Sequence, residues 1–154
     1  MKTLRIYIDT SVLGGYFDSE FERDTKMFFS KIRKGEYKIV ISDLTERELL
    51  NAPENVKSLL KELKLFDYEF VPVTNESVNL ANLYINENVV GRTSFDDCIH
   101  ISTATINKVD ILVSWNFKHI VNIKRIRGYN SVNIKNGYQT LEIRSPKELI
   151  DYEE

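Results

Sequence analysis

The chain has 154 residues, of which 42% are hydrophobic and 29% are charged, and its formal net charge is −2. These values are ordinary for a soluble globular domain with its own core, and they exclude a chain whose overall charge would itself indicate nucleic-acid binding. No apolar run approaches the roughly 20 residues that a membrane helix needs. We therefore expect residues 1–154 to form a single domain with no membrane anchor.

The N-terminal stretch and the cysteine content favour a cytoplasmic protein. The opening residues MKTLRIYIDT carry Asp9 where a signal peptide would need an uninterrupted apolar segment. The single cysteine, Cys98, excludes an intrachain disulfide and is typical of a reducing compartment.

Segments typical of strands alternate with segments typical of helices along the chain. In order, they are a strand at 4–9, a helix at 20–34, a strand at 37–42, a short helix within 44–52, a helix at 53–63, a short edge strand at 68–73, helices at 75–88 and 95–107, a strand at 110–114, a helical turn at 117–121, a strand at 140–145 and a helix start at 145–148. Residues 124–139, rich in Asn, Gly and Tyr, are predicted to form a long loop or irregular hairpin. The alternation predicts an α/β fold, a three-layer α/β/α sandwich with a mainly parallel sheet of four to five strands.

Four acid or amide side chains lie where predicted strands end or helices begin. Asp9 ends the first strand, and Glu48 lies in the first turns of the helix after the second. Asp97 lies in the first turn of the helix that precedes the 110–114 strand, and Asn116 follows that strand. Because the carboxyl ends of parallel strands share one edge of the sheet with the helix N-termini, we expect these residues to converge there.

Each of these residues also has a purely structural interpretation. Residues 45–48 and 94–97 both match a helix capping box, and Asn116 is a common turn residue. Asp9 is harder to explain in this way, because an acid that ends a central strand loses hydration unless a donor or a cation offsets the loss. Capping explains the four residues together less well than it explains any one of them.

Three neighbouring carboxylates repel one another and raise one another's pKa, and a divalent cation removes that penalty. Hard oxygen ligands without a cluster of His or Cys select Mg²⁺ or Mn²⁺ rather than zinc. Such an ion acidifies an attacking water and neutralises phosphate charge. The residues therefore favour a magnesium or manganese site that acts on phosphoesters.

Four motifs resemble those of the PIN-domain nucleases, and more narrowly those of the VapC-like toxins of bacterial and archaeal toxin–antitoxin modules. They are IYIDTSVL, VISDLTERELL, FDDCIHISTA and ILVSWNFKHI, and the likeness covers nearly the whole chain. The resemblance implies a PIN-like fold, with Asp9, Glu48 and Asp97 as the family's acids. It places Ser114 at the family's Thr/Ser position and Asn116 where many members carry Asp.

The substitution in the fourth motif lowers the expected charge of the site. An amide oxygen of Asn116 can still ligate a hard cation, but the site keeps three formal negative charges instead of four, which should loosen a second metal most. Asp96 does not restore the charge at Asp97, because neighbouring helix residues point about 100° apart. Asp96 is spaced instead to pair with His100, one turn along the helix.

The resemblance implies a metal-dependent endoribonuclease in which Asp9, Glu48 and Asp97 hold Mg²⁺ or Mn²⁺ and Asn116 assists. It also implies a homodimer and an antitoxin protein whose C-terminal segment covers the active edge. The alternative function is a catalytically weak or inactive PIN-like module that binds RNA or protein. The missing negative charge at Asn116 favours this alternative.

The charges of the chain are unevenly distributed. Residues 117–144 carry six basic residues against one acid, whereas the rest of the chain is acidic. Such a segment can contact phosphates, although a solvated surface is the more common interpretation. We expect RNA contacts from Ser11, Ser114, Lys118, His119, Lys124 and Arg125.

Overall fold

The computed structural model describes residues 2–150. Its centre is a sheet of five short strands: β1 (Leu4–Ile8), β2 (Tyr37–Ser42), β3 (Tyr68–Val71), β4 (Ile111–Val113) and β5 (Glu142–Arg144). The strand order is β3-β2-β1-β4-β5, and every neighbouring pair is parallel. The strand order reverses at β1, so the crevice where ligands bind in such sheets lies at the carboxyl end of β1.

Helices connect the strands and cover the sheet. They are α1 (Thr10–Gly15), α2 (Glu22–Arg33), α3 (Asp43–Glu48), α4 (Glu54–Leu63), α5 (Asn75–Asn86), α6 (Phe95–Ile106) and α7 (Ile123–Lys135). Short 3-10 helices lie at Arg92–Ser94 and Pro146–Leu149. Within the part of the chain that the structure describes, no helix has the length and apolar character required to cross a bilayer.

The core consists of two apolar clusters, one on each face of the sheet. Along β1, Tyr7 belongs to the cluster beneath α5, α6 and α7, whereas Ile6 and Ile8 belong to the cluster beneath α1, α2 and α4. Successive side chains of a strand point to opposite faces, so the buried residues of one strand contribute to both clusters. The predicted three-layer α/β fold is therefore confirmed.

The prediction of a loop or hairpin at 124–139 is wrong, because most of this segment is helix α7. Asn122 caps the helix, since its side chain accepts a hydrogen bond of 3.2 Å from the backbone N–H of Arg125. Asn133 is fully buried and accepts a hydrogen bond from the Tyr84 hydroxyl. The hydrogen bonds of this residue and the packing of buried Tyr129 and Val132 offset the weak helix propensity of the segment, which composition alone could not reveal.

Helix α1 was also absent from the sequence prediction, and its two glycines differ in their surroundings. A Cβ atom at Gly15 would lie 2.7 Å from the Trp115 ring and 3.0 Å from Thr25 Oγ1. A Cβ atom at Gly14 would meet nothing within 4 Å. The chain therefore needs glycine at the second position to let α1 approach the indole.

We predict that Gly15→Ala lowers the free energy of unfolding by about 1–3 kcal/mol, because the added methyl group overlaps the Trp115 ring. Gly14→Ala is the matched control, and we expect it to be neutral or to stabilise by up to about 1 kcal/mol through helix propensity. Urea unfolding of both variants measures the difference. Equal stability of the two variants would contradict the close packing of α1.

Candidate active site

Asp9 lies directly after the central strand β1 and is only 4% exposed. Two hydroxyls hold its carboxylate: Ser11 Oγ donates to Oδ1 and Ser114 Oγ donates to Oδ2, each at 2.6 Å. Backbone N–H groups hold both serines in place. The N–H of Trp115 donates to Ser11 Oγ and the N–H of Asn116 donates to Ser114 Oγ, each at 2.9 Å. The start of α1 and the loop after β4 thus join at this carboxylate.

Burial raises the pKa of the Asp9 carboxyl above its ordinary value. The nearby imidazole of His100 and the hydroxyls of Ser11 and Ser114 act in the opposite direction without cancelling the effect. The ionised form therefore has a free-energy cost that a cation near this carboxylate would remove.

Asp97 lies in the first turn of α6, and Asn116 follows β4 and a short bend. Asn116 Nδ2 donates to Asp97 Oδ2 at 3.3 Å. Burial raises the pKa of the Asp97 carboxyl, and the charge of Asp9 adds to that rise. Two carboxyl groups from distant parts of the chain therefore share one electrostatic environment.

Glu48, the last residue of α3, is the third acid at this edge. Its Oε1 accepts hydrogen bonds from Thr10 Oγ1 at 2.8 Å and from His100 Nε2 at 2.6 Å. The His100 ring is buried, and its Nδ1 lies 2.6 Å from the Tyr7 hydroxyl. Burial favours the neutral form of Glu48, but the interactions with His100, Thr10 and Arg47 together outweigh it and lower the pKa of the Glu48 carboxyl.

The three acids interact electrostatically but do not close around an ion by themselves. Within residues 2–150, no three His, Cys, Asp or Glu side chains converge closely enough to form a metal site. Mg²⁺ commonly binds through one or two carboxylates and keeps several waters, so such an open set of oxygen ligands fits it. In the hydrogen bonds of the described residues, Asp97 Oδ1 and Glu48 Oε2 accept none and stay available to water or a cation.

Neither Thr45 nor Ser94 caps its helix through a side-chain hydrogen bond. Helix α3 begins at Asp43, so Thr45 lies inside it and forms no capping box with Glu48. Ser94 precedes α6, but its side chain makes no capping hydrogen bond. Capping therefore does not explain the positions of Glu48 and Asp97.

The predicted pairing of Asp96 with His100 is wrong. Asp96 lies 3.7 Å from a guanidinium nitrogen of Arg47 on the exposed side of α6. His100 Nε2 lies 2.6 Å from Glu48 Oε1, so Asp96 and His100 each pair with a residue of α3 rather than with each other. The 100° separation of neighbouring helix residues places Asp96 and Asp97 on different faces.

The basic segment divides into exposed cations and cations with structural partners. Lys118 and Lys124 are exposed, and Lys118 lies two residues after Asn116. Arg125 donates to the Val89 carbonyl, which ties its guanidinium to the protein. The His119 side chain is partly buried, and its Nδ1 has no hydrogen-bond partner in the described part of the chain.

Sequence reasoning missed the two partners of Glu48. Thr10 directly follows Asp9, and His100 lies three residues after Asp97, so it occupies a neighbouring position one turn along α6. This spacing is the signal that could have assigned His100 to the edge of the sheet. Its contact with Tyr7 inside the core had no signal in the sequence.

The structure is an α/β protein with a parallel five-stranded sheet and three electrostatically coupled acids at its carboxyl edge. The family model described as PIN domain matches residues 6–118. The chain therefore belongs to the PIN-domain family, and the resemblance noted from the four motifs is confirmed.

Three solved structures have similar folds at low identity. A toxin–antitoxin complex from Klebsiella pneumoniae is 16% identical, with a TM-score of 0.55 over 73% of this chain and 88% of that chain. VapBC2 from Rickettsia felis, bound to a DNA fragment from its promoter, is 16% identical, with a TM-score of 0.58 over 92% and 98%. FitAcB from Neisseria gonorrhoeae is 13% identical, with a TM-score of 0.55 over 92% and 97%. A comparison with curated proteins finds no match to this chain.

We predict that Asp9→Asn stabilises the metal-free protein at pH 7. The pKa of the Asp9 carboxyl is raised in the folded state. The free energy of unfolding therefore falls as the pH rises from the ordinary carboxyl pKa through the raised one, and below the ordinary pKa this loss is absent. We expect the free energy of unfolding to increase by on the order of 1 kcal/mol at pH 7, and this increase should become smaller as the pH falls. Urea unfolding in chelator at pH 7 and pH 5 measures it.

The control for this experiment is Asp67→Asn, which removes the same charge from a side chain that is 86% exposed. We expect it to change stability little at either pH. A loss of stability in Asp9→Asn at pH 7 would show that the Asp9 carboxylate is not under the burial penalty described above.

Proposed function

We propose that this chain is a metal-dependent endoribonuclease of the VapC-like toxin type that cleaves RNA phosphodiester bonds. The observation that carries the proposal is the Asp9 carboxylate, which is buried at the end of the central strand, held by two hydroxyls and coupled electrostatically to Asp97. Membership of the PIN-domain family supports it, since nucleases are common in that family.

The chain's own residues would prepare the site for this chemistry. Asp9 and Asp97 would hold Mg²⁺ or Mn²⁺ directly, and Glu48 would act on it through water. The ion, when bound, supplies an acidified water and neutralises charge on the phosphate. Ser11 and Ser114 keep both oxygens of Asp9 in place, so the carboxylate is oriented before any ligand arrives.

RNA would approach the carboxyl edge along the exposed cations of the segment after β4. Exposed Lys118 and Lys124 would contact the phosphate backbone. Arg125 is held by the Val89 carbonyl, so it would add positive charge to this surface without a direct contact. The ring of Phe117 is 49% exposed and packs at 5.9 Å from Trp115, so it offers an aromatic surface to an unpaired base. The Trp115 ring itself is buried and serves the core.

We also propose that a cognate antitoxin and a second copy of the chain are partners in the cytoplasm. The similar solved structures include toxin–antitoxin complexes, and this similarity supports the proposal of an antitoxin partner. A groove between α3 and α4 combines an apolar floor with a row of lysines, which suits an acidic amphipathic segment. It is lined by Glu46, Leu49, Leu50, Lys57, Leu60, Lys61 and Lys64.

A second candidate function is a PIN-like module that binds RNA without cutting it. The observation in its favour is Asn116, which presents an amide N–H to Asp97 at a position where many family members carry an acid. Calorimetry and RNA binding distinguish the two functions, because only the enzyme requires uptake of Mg²⁺ or Mn²⁺.

We predict that Asp97→Asn lowers metal-dependent RNA cleavage on the order of 100-fold or more, the equivalent of about 3 kcal/mol in the barrier. The matched control is Asp96→Asn, the neighbouring acid on α6, which faces Arg47 and should retain cleavage. Cleavage of a total-RNA mixture by both variants, with Mg²⁺ or with chelator, is the measurement. Full cleavage by Asp97→Asn, or by the wild type in chelator, would refute the proposed mechanism.

We predict that Lys118→Gln weakens RNA binding uniformly across sequences and reduces the salt dependence of the affinity by about 0.7 in log–log slope, as expected for one lost contact with single-stranded RNA. Lys135→Gln is the control, because Lys135 lies at the end of α7 and pairs with Glu87. Fluorescence anisotropy over a range of salt concentrations measures both. Equal slopes for the two variants would exclude Lys118 from the RNA path.

A further inference from the structure

The side chain of Asn116 uses both ends of its amide. Its Oδ1 accepts hydrogen bonds from the backbone N–H groups of Lys118 at 3.2 Å and His119 at 3.0 Å. Its Nδ2 donates to Asp97 Oδ2 at 3.3 Å. The amide oxygen, which is the only atom of this side chain that can ligate a cation, is thus committed to the turn that follows β4.

The hydrogen-bond network fixes the orientation of this amide. A reversed amide would point its NH₂ group at two backbone N–H donors and its oxygen at a carboxylate, so every contact of the side chain would become repulsive. Asn116 therefore presents hydrogens, which carry partial positive charge, to the neighbouring carboxylate.

We propose that Asn116 is a positioning residue rather than a metal ligand, and that it limits the site to one divalent ion. Its amide orients Asp97 from one side and occupies the place that a second cation would need beside Asp97 Oδ2. This inference rests on the metal site of the proposed function. It goes beyond the lower charge of an amide, because it assigns the Asn116 oxygen to the protein backbone.

An aspartate at this position would reverse the interaction. It has the same shape as asparagine, so one oxygen would still accept the N–H groups of Lys118 and His119. The other oxygen would face Asp97 Oδ2 at about the present 3.3 Å, and two like charges at that distance repel. A divalent cation between the two carboxylates would relieve that repulsion.

The test compares the full-length wild type with Asn116→Asp, using MnCl₂ as the probe in calorimetry and in thermal melting with and without chelator. We expect the wild type to bind one Mn²⁺ per chain. The variant should bind a second ion, or bind the first at least about tenfold more tightly. In chelator the variant should melt at a lower temperature than the wild type. Its melting temperature should rise by more than that of the wild type when Mn²⁺ is added.

Two further variants separate this effect from a general change in charge or folding. Asn122→Asp adds the same charge at the cap of α7, in a side chain whose hydrogen bonds go to residues 117, 118 and 125 and not to Asp97, and should leave the Mn²⁺ stoichiometry at one. The double variant Asp97→Asn with Asn116→Asp removes the like-charge pair, so its melting temperature in chelator should return toward that of the wild type.

Three results would overturn the inference: a wild type that binds two Mn²⁺, an Asn116→Asp variant with the Mn²⁺ affinity and stoichiometry of the wild type, or an equal increase in Mn²⁺ binding in Asn122→Asp.

RNA cleavage is measured separately from Mn²⁺ binding. Cleavage by a wild type that binds two ions overturns this inference and leaves the ribonuclease in place. One-ion binding without cleavage overturns the ribonuclease and leaves the role of Asn116 in place.

Discussion

The burial of one carboxylate, Asp9, is the constraint on which the rest of this edge of the sheet depends. A charged group at the end of a central strand is stable only if nearby groups replace its lost hydration. Here Ser11 and Ser114 do so with two short hydrogen bonds, and backbone N–H groups after β4 hold those hydroxyls. The start of α1 and the loop after β4 are therefore fixed relative to each other by the residue that they surround.

The core and the site are connected through His100. Its ring lies between the hydroxyl of Tyr7, a fully buried side chain of β1, and the carboxylate of Glu48 on α3. The Tyr7 hydroxyl in turn lies 2.8 Å from Ser42 Oγ, at the end of β2. A chain of hydrogen bonds thus passes from the centre of the sheet to an acid at its rim. Both Thr10 and His100 donate to the same Glu48 oxygen, and Oε2 accepts no hydrogen bond from the described residues.

The features set by periodicity and topology could be predicted from the sequence, and those set by side-chain contacts could not. The alternation of strands and helices predicted the parallel sheet, and the shared carboxyl edge predicted that Asp9 and Asp97 would lie near each other. Helix α7 was missed because its support is tertiary, through buried Asn133 and its partners. The direction of the Asn116 amide was beyond prediction for a similar reason, since it depends on two backbone N–H groups that exist only in the folded turn.

Lysine and arginine side chains do not neutralise Asp9 or Asp97 in the described part of the chain. In the described part of the chain, no Lys or Arg forms an ion pair with Asp9 or Asp97, and Arg47 pairs with the neighbouring Asp96 instead. Hydroxyls and an amide stabilise these carboxylates without cancelling their charge. A structural acid would gain stability from a nearby lysine or arginine, whereas a metal ligand must keep its place open to a cation from solvent. The surroundings of buried Asp9 and partly buried Asp97 therefore fit the binding role proposed above.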